Sequence, residues 1–277
     1  SDGFARDEFR PGAHTYRSYV IRAFNEDRAY DRFVREQIAG DQLELAGQEA
    51  LAYLWMGPWE QTAMSVAAVT RQLWLDDVTN SVGVTFLAQQ LRCAKCHDHK
   101  FDPVPTRDYY AMQALFAGTT HGGKVGKSGG TYHVAARPPQ PIQILQGGAL
   151  ENPGEEVKPG ALSVLASTAS HRFEISPRGR RAALAEWIAD ARNPLTARVM
   201  VNRVWQMHFG RGLVATANDF GRMGANPSHP ELLDWLALWF IENGWSVKKL
   251  HRLIMTSPAY QRSSTALDRV LVQLRRS

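Results

Sequence analysis

Cysteine is scarce in this chain of 277 residues, which contains only two. Both belong to one short run, as Cys93 and Cys96, so cysteine chemistry is confined to a single place in the sequence. Long hydrophobic runs are missing as well. The run from 232 to 241 is broken by Asp234 and is far shorter than the roughly 20 apolar residues that a membrane-spanning helix needs. We therefore expect no membrane span, and the hydrophobic residues, 44% of the chain, suffice for an ordinary core.

Excess charge, internal repeats and low-complexity tracts are also lacking. The formal net charge is only +5, with short basic clusters at 178–181 and 275–276. A small excess that is spread along the chain is typical of a solvated surface, so we expect no nucleic-acid interface. The first four residues are polar in character and lack a start Met. We expect the chain to be part of a longer protein whose targeting segment is not included.

Helical periodicity dominates both ends of the chain. In the first third, apolar residues recur at three- and four-residue steps, and one long helix is predicted from about 65 to 90. Its apolar positions are Val69, Leu73, Val78, Val82 and Phe86. A further helix is predicted to begin at Thr106, after a proline-containing segment. In the last third, turn and capping signals delimit four helices, over 180–191, 195–209, 230–243 and 247–255.

The stretch between the helical ends has a different composition. From 118 to 177 glycine and proline are frequent, and short β-like runs occur at 132–135 and 141–145. The expected fold class is mainly α, with two helical units joined by a Gly/Pro-rich, partly β middle segment. The predicted domains are a helical domain over residues 1–117, a linker or small β cap over 118–177, and a C-terminal helical domain over 178–277.

The run Cys93-Ala94-Lys95-Cys96-His97 has the spacing of a covalent haem c attachment site. Two thiols three positions apart match the two vinyl groups of haem when the backbone makes about one helical turn. The following histidine then supplies an axial nitrogen to the iron. Because the chain holds one such motif, the sequence predicts a single haem c bound by Cys93, Cys96 and His97.

Three other interpretations of the motif stay open. A thioredoxin-like dithiol needs a preceding strand and a following helix, whereas a long predicted helix precedes Cys93 and proline follows the motif. A zinc site could use both cysteines with His97 or His99, although a fourth ligand at standard spacing is absent. A structural disulfide between Cys93 and Cys96 requires only an oxidising compartment.

A haem also needs an apolar wall and, in many proteins, a sixth iron ligand. Seven apolar residues lie close to the motif in sequence and suit either a haem wall or plain core packing: Phe86, Leu87, Leu91, Phe101, Tyr109, Tyr110 and Phe116. The sequence does not fix the sixth ligand. The nearby candidates are Met64, Met112 and His121.

The residues around the motif also carry a family resemblance. The run 91–105 and the N-terminal stretch 3–43 resemble the cytochrome-like domain of planctomycetes and related bacteria. The segments 193–206, 209–214 and 229–234 are similar to its usual C-terminal partner, a planctomycete-type domain of unknown function. The resemblance implies a large exported protein, often with a further cytochrome c domain upstream.

Polar side chains gather in the C-terminal unit, on one predicted helix and the glycine-rich loop after it: Asn202, Arg203, Gln206, His208, Asp219 and His229. Residues four apart, such as 202 and 206, share one helix face. The set predicts either a pocket for a substrate or anionic group, or a hydrogen-bonded network that ties the loop to the helix. The tryptophans of this unit suit stacking on sugars as well as core packing.

Two functions therefore stand as hypotheses. The first is a haem c-binding redox, electron-transfer component of an exported planctomycete-type protein, periplasmic by its chemistry, which works with a redox partner protein or an upstream cytochrome domain. The second is a non-haem binding or scaffolding module, for example in polysaccharide breakdown, with the CxxCH motif as a structural disulfide or metal site. The sequence assigns no catalytic residue and no reaction.

Overall fold

A computed structural model describes residues 12–45, 48–57, 66–120, 134–165 and 179–262. Over these residues the fold is mainly α, as the sequence predicts, with two short two-stranded sheets in the middle of the chain. Within the described ranges, none of the helices is long and apolar enough to cross a membrane.

The helices of the N-terminal unit pack around an aromatic core. The side chains of Trp55, Trp74 and Tyr109 come from different segments and are almost completely buried together. A 3-10 turn over Ala52–Trp55 carries the first of them. The α-helices of this unit are α1 (Ala13–Asn25), α2 (Tyr30–Ala39), α3 (Gln48–Leu51), α4 (Ala67–Val82) and α5 (Thr106–Ala114).

The long helix predicted over 65–90 is shorter and changes its pitch. Helix α4 is followed without a break by a π-helical turn, Gly83–Leu87. The turn closes at Ala88, whose backbone is left-handed with a φ of 49°. A π turn holds one residue more than an α turn, so it shifts the phase of the side chains that follow. This change of pitch leads the chain from α4 into the CxxCH run.

The apolar pattern of α4 is only partly a core pattern. Val78 and Val82 are buried, whereas Val69 and Leu73 of the same apolar pattern are exposed. Trp74, one position after Leu73, is buried instead. The large indole defines the buried face at this end of the helix because it covers more apolar surface than the smaller aliphatic side chains.

Two antiparallel pairs form the β part of the middle segment. Strand β1 (Thr119–Thr120) pairs with β2 (Ala135–Ala136), and β3 (Ile142–Leu145) pairs with β4 (Pro153–Val157). The predicted run 141–145 coincides with β3, whereas residues 132 and 133 of the other predicted run lie outside the described residues. A 3-10 turn over Gln146–Gly148 follows β3.

Four helices form the described part of the C-terminal unit, close to the predicted positions. Pro230 occupies the first turn of α8, where its missing N–H costs nothing, and Gly210 ends α7 with a left-handed φ of 78°. Helix α7 packs against both α8 and α9. The bounds are α6 (Arg180–Ile188), α7 (Thr196–Phe209), α8 (Pro230–Glu242) and α9 (Val247–Met255).

The two helical units contact each other directly. The buried guanidinium of Arg181 on α6 lies 2.7 Å from the Asp41 carboxylate and donates to the Ile38 carbonyl at 2.8 Å. At another point the N–H of Tyr30 donates to the carbonyl of Trp245 at 3.0 Å. A buried guanidinium is stable only with such partners, so these bonds hold the first and last thirds of the chain together.

Candidate functional site

The CxxCH run forms one tight turn on the surface. Residues Leu91–Lys95 are a 3-10 helix, and Cys96 follows with right-handed helical backbone. Leu91 and Ala94 are fully buried, whereas Cys93 and Cys96 are exposed. A 3-10 helix repeats every three residues, so the two buried residues share one face and the two cysteines share another. Both thiols are free, and they are not joined to each other.

Lys95, inside the motif, anchors this turn to the interior. Its ammonium lies 2.8 Å from the carboxylate of Asp76 on α4, and its backbone carbonyl accepts the Tyr110 hydroxyl at 2.9 Å. Asp76 is itself buried. The same carboxylate accepts three more hydrogen bonds, of 2.6 to 2.9 Å, from the side chains of Gln72, Tyr109 and Gln113. The motif is thus fixed to a buried and well-satisfied polar network.

The tyrosines of this network act as hydrogen-bond donors. Burial, and then the negative charge of Asp76, raise the pKa of Tyr109 and that of Tyr110 well above the usual range of the phenol. Both hydroxyls therefore keep their protons over the whole physiological pH range. A proton that stays on each oxygen keeps the contact to Asp76 and the contact to Lys95 intact.

Gly148, in the turn after β3, leaves room for the Cys96 thiol. A Cβ atom placed on Gly148 would lie 2.7 Å from the sulfur of Cys96 and 3.1 Å from Cε of Lys95. The backbone of Gly148 is also left-handed, with a φ of 76°. Glycine is therefore required here for two reasons: it adopts the left-handed backbone without strain, and it leaves space beside the thiol of Cys96.

His97 closes the motif with an exposed ring. Its Nδ1 atom lies 2.7 Å from the backbone carbonyl oxygen of Asp98. A carbonyl only accepts, so Nδ1 carries the proton, and in the neutral ring Nε2 then keeps the lone pair. The carboxylate of Asp98 also accepts the N–H of Thr106 at 2.8 Å and so satisfies the first turn of α5. The ring of His97 is held in the tautomer that offers Nε2 to a metal.

His99 has the opposite tautomer to His97, and its hydrogen bonds lie within the loop that follows the motif. Its Nδ1 accepts the backbone N–H of Asp102 at 2.9 Å, so the proton of the neutral ring is on Nε2. The N–H of His99 donates to the carbonyl of Val104 at 2.9 Å. The side chain is largely buried. His99 therefore shapes the loop after the motif.

The C-terminal unit docks onto both sides of the motif. After the motif, the Asp102 carboxylate accepts the N–H of Arg222 at 2.6 Å. Before the motif, the carbonyl of Ala88 accepts the N–H of Phe220 at 2.9 Å. The guanidinium of Arg203 on α7 donates to the last turn of the π-helix, through the carbonyls of Val84 (2.8 Å) and Thr85, and to the Asn218 side chain at 3.1 Å. Burial lowers the pKa of Arg203.

Several of the polar residues predicted in the C-terminal unit form hydrogen bonds within that unit. The Asn202 amide donates to the Val214 carbonyl at 2.9 Å and accepts the Val214 N–H at 2.8 Å. Asp219 accepts the N–H of Gly221 within its own loop. His208 forms a 2.7 Å hydrogen bond with His251 of α9. The backbone carbonyl of Gln206 accepts the N–H of Gly210 at the end of α7.

One residue of that predicted set, His229, lines a cavity of about 360 Å³ at the C-terminal end of α7. The cavity lies next to the end of the helix because Gly210 turns the chain back along it. Its other lining residues are Trp205, Phe209, Arg211, Gly212, Leu213, Ala215, Asn226 and Ser228.

Comparison with known proteins identifies the two units. Residues 1–121 match the family PSCyt2, described as a protein of unknown function (DUF1549). Residues 180–273 match the family PSD1, also described as a protein of unknown function (DUF1553). The two matched families are planctomycete-type domains that occur as a pair. No curated protein and no solved structure matches it.

The residues of the PSCyt2 domain fit covalent attachment of a haem c. Both thiols lie uncovered on one turn, and the glycine at 148 keeps the space beside Cys96 open. The His97 ring keeps an Nε2 lone pair for a metal. Among the described residues, no group of three or more His, Cys, Asp or Glu side chains is placed to hold a metal ion by itself.

The predicted surroundings of a haem are largely core residues in the PSCyt2 domain. Of the seven predicted wall residues, Phe101 is exposed and the other six are buried. Met112, a candidate sixth ligand, is fully buried in the core. The other candidates, Met64 and His121, lie outside the described residues. The part of the chain that the structure describes therefore offers Phe101 as an exposed ring close in sequence to the motif.

Two residues that organise the site carry no recognisable signal in the sequence. Asp76 is one of several polar residues within the helix predicted over 65–90, and Gly148 is one of many glycines in the middle segment. Their roles follow from contacts with Lys95 and Cys96 across 19 and 52 positions of the chain.

Proposed function

We propose that this chain is a haem c-binding redox component that transfers electrons, with one haem attached through Cys93 and Cys96. The observation that carries the proposal is the pair of free, exposed thiols on a single anchored turn, followed directly by His97. Attachment requires no oxidant. Each thiol adds across one vinyl group, with its sulfur bonding to one carbon and its hydrogen going to the other.

The residues around the motif would each have a defined part in holding the group. Nε2 of His97 would bind the haem iron, because Nδ1 is engaged by the Asp98 carbonyl. Lys95, fixed by Asp76 and Tyr110, would keep the two sulfurs on one face. The bound haem would supply one-electron transfer at its iron. We further propose an exported, periplasmic location and a redox partner that is a separate protein or an upstream cytochrome domain.

The test is production of the whole chain together with a c-type cytochrome maturation system. The pyridine haemochrome spectrum and intact mass are expected to give one covalently bound haem per chain. Single substitutions Cys93→Ser and Cys96→Ser should each leave one thioether bond, and the double variant should retain no covalent haem. His97→Gln should keep the covalent bonds and change the absorption spectrum of the iron, whereas His229→Gln, at a distant exposed histidine, should change neither.

A failed attachment would point to the other function. If wild-type chain carries no covalent haem while a known c-type cytochrome matures in the same cells, the redox proposal is wrong. In that case the motif serves a non-haem binding or scaffolding module, and Cys93→Ser should change only the stability of the fold.

A further inference from the structure

We propose that the cavity at the end of α7 binds a sugar unit that carries an acidic substituent, a carboxylate or a sulfate. This site lies in the PSD1 domain and uses none of the residues of the haem proposal. It is therefore a second binding function of the chain, and its test does not depend on whether haem is attached.

The cavity is built by backbone contacts that do not depend on a ligand. The left-handed Gly210 turns the chain back along α7. The side chain of Asn202, a buried residue of α7, donates to the carbonyl of Val214 and accepts its N–H. The N–H of Ser228 donates to the Leu213 carbonyl at 2.9 Å and closes the loop 213–228 at its base. The loop therefore returns to its starting point, which brings residues 226–229 beside 211–213 as a preformed pocket.

An aromatic wall forms one side of the cavity. The rings of Trp205 and Phe209 are four residues apart on α7 and stack with their centroids 4.3 Å apart and an angle of 27° between planes. The ring of Tyr260 packs edge-on against Phe209. A partly exposed and supported aromatic surface suits the C–H face of a pyranose ring. The volume of about 360 Å³ lies at the small end of the range for ligand pockets, which fits one or two sugar units.

Two polar side chains of the lining, Arg211 and Asn226, are available to a ligand. No hydrogen bond or ion pair engages the side chains of Arg211 or Asn226 within the described residues, whereas Arg198 and Arg203 of the preceding helix are both paired. An unpaired guanidinium binds a carboxylate or sulfate through two parallel N–H groups. An amide such as that of Asn226 both donates to and accepts from sugar hydroxyls.

The hydrogen bonds of Ser228 and His229 determine which ring nitrogen of His229 carries the proton. The Ser228 hydroxyl donates its only proton to the Leu213 carbonyl, at 3.2 Å. Nδ1 of His229, 3.1 Å from that hydroxyl, must then be the donor to it. Nε2 is left as an acceptor for a sugar hydroxyl. An aromatic face, a free guanidinium, an amide and an imidazole acceptor together match the chemistry of an acidic sugar.

The test is calorimetric titration of the whole chain with three short oligosaccharides: an oligogalacturonate, a sulfated heparin-type fragment and a neutral cello-oligosaccharide. We expect one of the acidic probes to bind at least tenfold more tightly than the neutral one, and the better acidic probe identifies the substituent. Arg211→Ala should weaken that binding at least tenfold. The matched control is Arg17→Ala, which removes the same charge from an exposed arginine on α1.

Two further measurements make the outcome decisive. Tryptophan fluorescence should change on binding in the wild type and lose that change in Trp205→Phe, while the thermal unfolding midpoint reports whether each variant folds. Equal weakening by Arg211→Ala and Arg17→Ala would reveal general attraction to the positive chain and overturn the proposal. Absence of binding by all three probes, or binding of the neutral probe as tight as that of the acidic ones, would overturn it as well.

Discussion

The carboxylate of Asp102 accepts the backbone N–H of Arg222 at 2.6 Å, across 120 positions of the chain. Asp102 belongs to the loop after the CxxCH motif, and Arg222 to the glycine-rich loop of the PSD1 domain. A second bond, from Phe220 to Ala88, joins the same PSD1 loop to the residues before the motif. The PSD1 domain therefore contributes to the conformation of the motif in the PSCyt2 domain.

We predict that Asp102→Ala destabilises the protein by about 1–3 kcal/mol, because it leaves the N–H of Arg222 without its charged acceptor. Urea unfolding measures this loss. Hydrogen exchange should become faster at Arg222 and in the loop 99–104. Asp234→Ala, which breaks an exposed ion pair with Arg198, is the control and should cost less than about 1 kcal/mol. Equal losses in the two variants would contradict a role for Asp102 in docking.

Gly148 and Gly147 form a matched pair for testing access to the Cys96 thiol. Both have left-handed backbone, but a Cβ on Gly147 would meet no atom within 4 Å. We predict that alanine at either position costs about 1–2 kcal/mol of backbone strain. Only Gly148→Ala should also slow alkylation of Cys96 relative to Cys93, as measured by iodoacetamide labelling and mass spectrometry of the native protein. Unchanged alkylation in Gly148→Ala would show that the glycine does not keep the thiol open.

The buried carboxylate of Asp76 should be sensitive to loss of its charge. Asp76→Asn keeps the shape but replaces one accepting oxygen by a donor that faces other donors. We predict a destabilisation of about 2 kcal/mol or more in urea unfolding, since hydrogen bonds to charged groups are the stronger ones. Glu155→Gln makes the same chemical change on an exposed ion pair with Arg107 and should cost less than about 1 kcal/mol. If the two substitutions cost the same, the network around Lys95 does not anchor the turn.

The pair of His208 and His251 predicts a dependence of stability on pH. Burial, and then the neighbouring His208, lower the pKa of His251. As the pH falls below about 6.5, the unfolded chain takes up a proton at this histidine before the folded protein does. The free energy of unfolding therefore decreases through the window just below pH 6.5. Unfolding midpoints between pH 5 and 8 should show a shallower acid slope in His251→Gln than in wild type, and an unchanged slope in the exposed control His229→Gln.

The sequence predicts the helices well where local signals agree. Gly210 and Pro230 delimit α7 and α8 because a left-handed glycine and a first-turn proline act through their own backbone. Strand β4 is not predicted from the sequence, because Pro153, Gly154 and the two glutamates that follow lack the alternation of apolar and polar residues that indicates a strand. The π-helical turn before the motif is not predicted either. Arg203 donates a hydrogen bond to its backbone from a helix more than 100 residues away, and no local signal reports that contact.

Of the two candidate sites, one can be predicted from local sequence and the other cannot. The CxxCH spacing marks Cys93, Cys96 and His97 directly, because the chemistry depends on residues that are neighbours in sequence. The cavity in the PSD1 domain depends on a loop that returns to its base, so Arg211 and Asn226 become neighbours only after folding. The sequence pattern therefore finds Asn202, which holds the loop at Val214, and His229, which lines the cavity, but it misses Arg211 and Asn226. The domain boundaries at 117 and 177 stay predictions.

The bond from Asp102 to Arg222 also sets an order of events during synthesis. A ribosome adds roughly 5–20 residues per second, so the 120 residues between these partners take about 6 to 24 s to appear. For that time the nascent motif exists without the loop that later fixes both of its flanks. The flanks of the two cysteines are therefore less constrained in the growing chain than in the finished protein.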